Sequence, residues 1–338
     1  MNCGESNLQP GYKRTNKQSS AKNVAARFVS ELTVVALLCM ALIVSACSAA
    51  GIDSGKPNLG SDNPGNLRDN TPVVLLAEQP GYMVAQDSSA IIDYSNSSQG
   101  YISAMTMTDG LFKVLIDAPD GTRYQFSLRS PNRFITIPLS AGNGEYSVGF
   151  FKNVSDNRYA PMFSVQISVN LVDQNLPFLY PNQYVDFEVN DRAVLLSQEI
   201  TKGATSEIEA IDAIYLWCVM NLSYDYKKAS EVQPGYLPDN DNTLDTLNGI
   251  CFDYAVLCAS MMRAQRLPTR LEIGFCGSEY HAWISVYTTE QGVIRREINF
   301  NPDSWTLLDP TIDSSGRTPL GLGPLIVDPK DYQPLLFY

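Results

Sequence analysis

A cysteine, a histidine and an aspartate follow one another in the C-terminal third of the chain. Cys251 precedes His281, which is the only histidine among the 338 residues, and Asp309 lies 28 residues beyond that histidine. Imidazole has an unperturbed pKa near neutrality, so His281 can take up and return a proton at physiological pH. A thiolate beside it is a nucleophile, and a carboxylate can orient the ring. The pattern therefore suggests nucleophilic catalysis, although a buried cysteine and a hydrogen-bonded core histidine would leave the same pattern.

The sequence around the cysteine predicts a helix that begins there. In "NGICFDYAVLCASMMRAQRLP", Gly249 allows a tight entry, and the hydrophobic spacing stays helical until Leu267-Pro268 ends it. A thiol in the first turn faces unpaired backbone amides and the positive end of the helix dipole, which favour the thiolate. The same amides could stabilise an oxyanion. Cys258, on the same face of this helix as Cys251, is expected to pack in the core.

Predicted strands carry the other two groups. The segments "TRLEIGFCG" and "YHAWISVY" place His281 at the start of the second strand, and "SWTLLDPT" places Asp309 at the end of a third. A helix whose N-terminus faces such a sheet would bring the thiol, the ring and the carboxylate together. Trp283 and Trp305 could form walls of the site, although core packing is the simpler interpretation of each.

An acidic loop precedes the helix of Cys251. Its residues Asp239, Asp241 and Asp245 are typical calcium ligands, but the glycine and the final glutamate of a calcium-binding loop are missing. We therefore predict no metal site and no cofactor.

Four stretches resemble the transglutaminase-like superfamily, whose fold is papain-like. The family's pattern is a Gly-x-Cys that begins a helix, a Pro-x-Arg strand, a His-x-Trp strand and an Asp-Pro-Thr ending. Here it stands as "GICFDYA", "LPTRLEIGF", "HAW" and "WTLLDPT". The resemblance covers residues 205–312 and implies Cys251 as nucleophile, His281 as base and acid, and Asp309 as the orienting carboxylate. It implies acyl transfer on carboxamide or peptide bonds of proteins or cell-wall peptides.

The resemblance leaves the acceptor open. Phe252 stands where the animal enzymes have a tryptophan, and their calcium-binding elements are missing, so calcium-dependent crosslinking is not implied. Transfer to an amine, as in a transglutaminase, and transfer to water, as in a cysteine protease, amidase or deamidase, are alternatives. A non-catalytic binding module on the same fold is a third.

Residues 73–175 predict a domain of another class. Alternation with period two between turn signals, as in "FKVLIDAPDGTRYQFSL", predicts an all-β sandwich of about seven strands. This segment has no histidine or cysteine, so we interpret it as a spacer or ligand-presenting domain. The predicted fold is α+β, with a papain-like transglutaminase core over residues 176–338 preceded by the sandwich.

The N-terminus predicts export. Residues 1–46 combine basic residues with the apolar run "LTVVALLCMALIVSA", which is typical of a secretory signal peptide. The ending "VSAC" resembles the lipobox of bacterial lipoproteins and implies lipidation of Cys47 and anchoring to the outer face of the cell membrane. Cleavage near Ala46 into a soluble secreted protein is the alternative. Residues 47–72 predict a flexible tether.

The net charge limits the classes of partner that the protein is expected to bind. The net charge is −12, and removal of residues 1–46, with five basic and two acidic residues, leaves −15. This argues against nucleic acid and against electrostatic adhesion to anionic lipid, so we expect a protein or peptide substrate and a membrane link through acyl chains alone. Four other cysteines remain in the exported chain, and a bridge between Cys258 and Cys276 stays open.

Overall fold

The computed structural model describes residues 67–294, 298–315, 317–318, 321–322 and 328–338. The predicted signal peptide, Cys47 and nearly all of the predicted tether lie outside these residues. Internal contacts assign all described residues to one unit. Within the described residues, no helix combines the length and the hydropathy needed to cross a bilayer.

Alternating hydrophobic residues build two antiparallel sheets of four strands each. The first has the order β1-β2-β3-β6, with β1 Val84–Gln86, β2 Ala90–Asp93, β3 Tyr101–Thr106 and β6 Ile135–Pro138. The second has the order β5-β4-β7-β8, with β4 Phe112–Asp117, β5 Arg123–Leu128, β7 Gly144–Ser155 and β8 Arg158–Val169. The two sheets contain eight strands, whereas the alternation predicted about seven. The additional strand is β1, which is too short to show alternation in the sequence. The buried faces of both sheets belong to one hydrophobic core.

Among the described residues, the C-terminal part adds a third antiparallel sheet and six helices. The sheet has the order β15-β12-β11-β18, with β11 Thr269–Cys276, β12 Glu279–Thr288, β15 Ser304–Leu308 and β18 Tyr332–Phe337. Three strand pairs accompany it: β9 Ser223–Tyr224 with β10 Asn248–Gly249, β13 Gly292–Ile294 with β14 Ile298–Phe300, and β16 Arg317–Thr318 with β17 Gly321–Leu322. The helices are α1 Arg192–Ile200, α2 Glu207–Asn221, α3 Tyr226–Glu231, α4 Asn240–Thr246, α5 Cys251–Ala264 and α6 Pro310–Ser315. This mixture confirms the predicted α+β class.

Helix α5 begins at Cys251 because a side chain caps its N-terminus. The backbone N–H of Ile250 donates to Asp253 Oδ2 at 2.8 Å. A Cβ added at Gly249 would lie 2.6 Å from the Cβ of Asp253, so the residue before the cap must be glycine. Past its end at Ala264, the chain turns through Arg266 with a φ of 61°. The sequence therefore predicts the start of this helix correctly.

Helix α5 is the central element of the C-terminal part. Every residue from Asp253 to Ala264 is buried, and the helix packs against β11 and β12. Such burial contributes about 1.5–3 kcal/mol for each large apolar side chain. The helix therefore holds Cys251 at a fixed height above the sheet.

The C-terminal residue links this part to the first two sheets. The ring of Tyr338 lies 5.8 Å from the rings of Tyr124 and Phe126 on β5. Its carbonyl accepts a hydrogen bond of 2.6 Å from the buried Arg263 of α5. Residues on both sides of the predicted boundary at 175 thus share one core, and the division there into two domains stays a prediction.

Candidate active site

His281 and Asp309 form a close pair at one end of the third sheet. His281 is the third residue of β12, and Asp309 directly follows β15, which is antiparallel to β12. His281 Nε2 lies 2.6 Å from Asp309 Oδ2. The carboxylate is fully buried and the imidazole is 12% exposed, so the pair is reached from solvent through the ring.

Both oxygens of Asp309 are held by further donors. Its Oδ1 accepts hydrogen bonds of 3.0 Å from the backbone N–H groups of Thr311 and Ile312, at the start of α6. The Tyr332 hydroxyl of β18 donates to Oδ2 at 2.8 Å. The carboxylate therefore has a fixed orientation, which fixes the imidazole in turn. Sequence reasoning missed Tyr332 because no local motif surrounds it.

Cys251 completes the cluster from the other side of the ring. Its thiol interacts with the imidazole of His281 and raises the pKa of the ring. Since Nε2 is used by Asp309, Nδ1 is the ring nitrogen that remains for the sulfur. As the first residue of α5, Cys251 also has a backbone N–H without a partner inside the helix. The structure thus brings the three predicted residues together in the predicted order.

The electrostatics of this cluster favour a protonated imidazole. Burial of the ring lowers the pKa of His281, but the hydrogen bond to Asp309, the hydrogen bond to Cys251 and the charges of both groups raise it to about 10. The ring therefore carries a proton at neutral pH and lies between two acceptors. An imidazolium in this position can deliver a proton to a leaving group.

Trp283 lies beneath the imidazole as part of the buried floor. It is fully buried, and its ring lies nearly parallel to that of His281, with centroids 6.1 Å apart and planes 20° apart. Its indole N–H donates to Glu272 Oε2 on β11 at 2.9 Å. Burial raises the pKa of Glu272, although hydrogen bonds from Ser285 and Trp283 and the charge of Arg270 oppose this shift. Trp283 therefore supports the ring of His281 from the core side.

Trp305 lies in a different environment. Its ring packs edge-on against Phe178 at 5.2 Å, and the guanidinium carbon of Arg270 lies 3.8 Å from its centroid. A cation over an indole face is stabilising by about 0.5–2 kcal/mol. The contacts of Trp305 are thus those of a packing residue, as the simpler interpretation expects.

A buried ion pair supports the first turn of α5. Lys228 Nζ lies 2.8 Å from Asp253 Oδ2, and the carboxylate is completely buried. The Tyr236 hydroxyl donates to Asp253 Oδ1 at 2.5 Å and accepts a hydrogen bond of 2.6 Å from Lys228. Burial and the carboxylate together raise the pKa of Tyr236. This network fixes the cap two residues after Cys251, and sequence reasoning did not identify it.

Aromatic side chains surround the thiol. Burial raises the pKa of Tyr224 and of Tyr280, and the nearby charge of Cys251 raises both further. The ring of Phe252 lies 6.3 Å from the rings of Tyr184 and Tyr236. The phenylalanine that departs from the animal pattern is therefore part of an aromatic border of the site.

The other described cysteines make contacts within the fold. The thiols of Cys218 and Cys258 are buried and hydrogen-bonded to each other, whereas the half-buried Cys276 contacts Tyr332. All four described cysteines are free thiols, so the bridge between Cys258 and Cys276 is not formed.

In the acidic loop, Asp239 caps α4 and Asp245 pairs with Arg192 at 2.6 Å. Among the described residues, no group of three or more metal-ligating side chains converges.

Comparison with known proteins finds a family model that matches this region. Residues 195–310 match the sequence profile of the transglutaminase-like superfamily. A candidate cysteine protease from Cytophaga hutchinsonii is similar in structure, at 15% identity and a TM-score of 0.34, covering 68% of this chain and 79% of that one. The periplasmic domain of TgpA from Pseudomonas aeruginosa is similar at 14% identity and a TM-score of 0.30, covering 70% and 75%.

A third similar structure is the transglutaminase of red sea bream. It is 12% identical with a TM-score of 0.27, and the matched part covers 62% of this chain and 47% of that protein. No curated protein matches the sequence significantly.

Proposed function

Residues 195–310 are a transglutaminase-like core, and from this premise we propose that the chain is a thiol-dependent acyl-transfer enzyme. Its substrates are carboxamide or peptide bonds of proteins or cell-wall peptides. The observation that carries the proposal is the contact of a single imidazole with both Asp309 and Cys251. In this arrangement Cys251 is the nucleophile, the protonated ring of His281 carries the proton, and Asp309 orients the ring.

In the first half-reaction the Cys251 thiolate attacks the carbonyl carbon. A C–S bond forms and the carbonyl electrons move to the oxygen, where the unpaired N–H of Cys251 donates to the oxyanion. One such donor contributes about 3 kcal/mol in comparable enzymes. The C–N bond then breaks, and the leaving amine or ammonia takes the proton from His281 Nδ1. A thioester and a neutral imidazole remain.

In the second half-reaction the neutral imidazole acts as the base. An amine or a water molecule attacks the thioester carbon and transfers a proton to Nδ1 of His281. The C–S bond breaks, which releases the product and restores the thiolate beside a protonated ring. Asp309 keeps the ring in place through both steps because its own oxygens are held by Tyr332 and by the amides of α6.

Water is the second candidate acceptor. Cys251 and His281 are partly exposed, so solvent can reach a thioester formed there. With water as acceptor the same residues perform amide hydrolysis or deamidation. The two reactions differ only in the group that resolves the thioester.

Mass spectrometry of a glutamine-bearing peptide distinguishes these reactions. We expect deamidated peptide without an added amine and an amine adduct when a primary amine is present. Cys251→Ala and His281→Ala should each abolish both products while the circular dichroism spectrum stays unchanged. Turnover that persists in either variant would end the proposal.

We also propose that the chain is exported and anchored by a lipid on Cys47 at the outer face of a bacterial membrane. The lipobox-like "VSAC" after the apolar run supports this location. Metabolic labelling with an alkyne fatty acid should mark the wild-type chain but not Cys47→Ser. A wild-type chain without label, or a labelled Cys47→Ser variant, would contradict the proposal.

A further inference from the structure

A cavity that does not include Cys251 lies between the β5–β6 region and the C-terminal part. Its volume is about 330 Å³. One side of it is formed by residues 127–130 and 133–136, and the other by residues 181–184, 186 and 235–237. None of Cys251, His281 and Asp309 lines this cavity. Its chemistry therefore has to be explained separately from the acyl-transfer site.

Two arginines give the cavity a positive charge. Arg129 and Arg133 line it together with one acidic residue, Asp186, so its lining carries one net positive charge. Arg133 Nη2 lies 3.8 Å from Asp186 Oδ2 in an exposed pair. The Arg129 guanidinium has no hydrogen bond or ion pair with any residue that the structure describes. Its Nη2 lies 3.5 Å from the position of a Cβ built on Gly235, which places it across the gap.

A buried amide in the wall has an unused donor. Asn182 is 4% exposed, and its Oδ1 accepts the backbone N–H groups of Tyr184 at 2.9 Å and Val185 at 3.0 Å. These two donors fix the orientation of the amide, so the NH₂ group is the one that faces away from them. Its Nδ2 has no partner among the described residues. Nδ2 is itself closed to solvent, so an acceptor bound in the cavity satisfies this donor if the amide shifts toward it.

The cavity is connected to the active site by aromatic side chains. Tyr184 and Tyr236 line it, and both rings lie 6.3 Å from the ring of Phe252, the residue after the nucleophile. An extended peptide advances about 3.3 Å per residue, so the 6.3 Å between these rings corresponds to about two residues of an extended chain. A substrate peptide that runs from Cys251 over Phe252 would lead toward this cavity.

We propose that this cavity binds a carboxylate of the peptide substrate and thereby selects acidic peptides. The inference rests on the proposed acyl-transfer function. Guanidinium groups bind carboxylates through paired, charge-assisted hydrogen bonds. The amide N–H of Asn182 would add a hydrogen bond from a further direction. The rest of the chain is strongly acidic, so an acidic peptide is repelled elsewhere and held only where these donors converge.

The test uses peptides that differ in one charge. Fluorescein-labelled peptides carry one central glutamine and one glutamate placed two, three or four residues to either side. Each is matched with the same peptide carrying the γ-methyl ester of that glutamate. Affinities are measured by fluorescence polarisation with the full-length chain carrying Cys251→Ala, which prevents turnover.

We expect at least one free-acid peptide to bind about tenfold more tightly than its ester, as one charge-assisted contact would give. Arg129→Gln combined with Arg133→Gln should remove this difference. Asn182→Asp, which keeps both acceptor contacts and replaces the donor, should also reduce it. Arg123→Gln is the control: Arg123 is an exposed arginine of β5, paired with Asp117 of β4, and its replacement should leave the difference unchanged.

Two results would overturn the inference. One is equal affinity of acid and ester at every position, including the absence of binding by both. The other is a preference that survives in the arginine and asparagine variants. Because binding is measured without the nucleophile, a preference for the acid can persist even if no turnover is ever found. Conversely, turnover without a preference for the acid would refute the proposed carboxylate site and leave the acyl-transfer function standing.

Discussion

Tyr332 and His281 share a single oxygen of Asp309: the tyrosine hydroxyl donates to Oδ2 at 2.8 Å, and His281 Nε2 lies 2.6 Å from the same atom. The tyrosine comes from β18 and the histidine from β12, with β11 between them. A buried carboxylate is thus held by donors from separate strands. This arrangement sets the geometry of the imidazole before any substrate binds.

Tyr332→Phe should destabilise the protein by about 1.5–3 kcal/mol, since the buried carboxylate loses a donor while the ring still packs against Trp283. Urea unfolding measures this change in the free energy of unfolding. Tyr287→Phe is the matched control, because its hydroxyl donates to the exposed Asp303 and its loss should cost less than about 0.5 kcal/mol. Equal losses in both variants would contradict the role of Tyr332.

Lys228→Met should cost about 3–5 kcal/mol, because it leaves the fully buried Asp253 without its cation. Arg192→Met removes a cation from the exposed pair with Asp245 and should cost no more than about 1 kcal/mol. Thermal or urea unfolding of the two variants provides the comparison. A small loss for Lys228→Met would show that the cap of α5 does not depend on this ion pair.

Cys251 should be the most reactive thiol toward iodoacetamide at neutral pH. Cys218 and Cys258 are buried and should remain unmodified, while Cys276 is half-buried and should react slowly. His281→Ala should lower the rate at Cys251 at least about tenfold, because an adjacent imidazolium favours the thiolate. Peptide mass spectrometry follows each thiol separately, and an unchanged rate at Cys276 is the internal control. A rate at Cys251 that does not depend on His281 would contradict the pairing.

The contribution of His281 to the free energy of unfolding should fall between about pH 6.5 and pH 10. The pKa of His281 is raised from about 6.5 in the unfolded chain to about 10 in the folded protein, so unfolding in this window releases a proton. The stabilisation is complete below the lower value and is lost as the pH rises through the upper one. Urea unfolding of the wild type and His281→Gln across this window isolates the contribution, and parallel curves would refute it.

Each of the three residues that meet at the candidate site has a local signal in the sequence. Cys251 comes two residues after the glycine that its helix start requires, His281 stands near the start of an apolar strand, and Asp309 precedes the proline that opens α6. The predicted α+β class is confirmed, and residues 195–310 match the transglutaminase-like family model.

The supporting contacts could not be predicted in this way. Glu272 pairs with Trp283 through strand register, and Lys228 and Tyr236 reach Asp253 from separate segments. Tyr332 reaches Asp309 across the sheet from a strand with no motif. Such contacts depend on how the strands and helices pack, and hydrophobic spacing gives no information about them.

Nuclear magnetic resonance of the single histidine tests the central claim most directly. With only one imidazole in the chain, ¹⁵N-labelled histidine reports on His281 without assignment. The account predicts an imidazole that stays protonated through neutral pH, with a pKa near 10. The pKa should fall in Cys251→Ser and in Asp309→Asn, because each variant removes a negative partner of the ring. Titration near pH 6.5 in the wild type, unaltered by either substitution, would contradict the account.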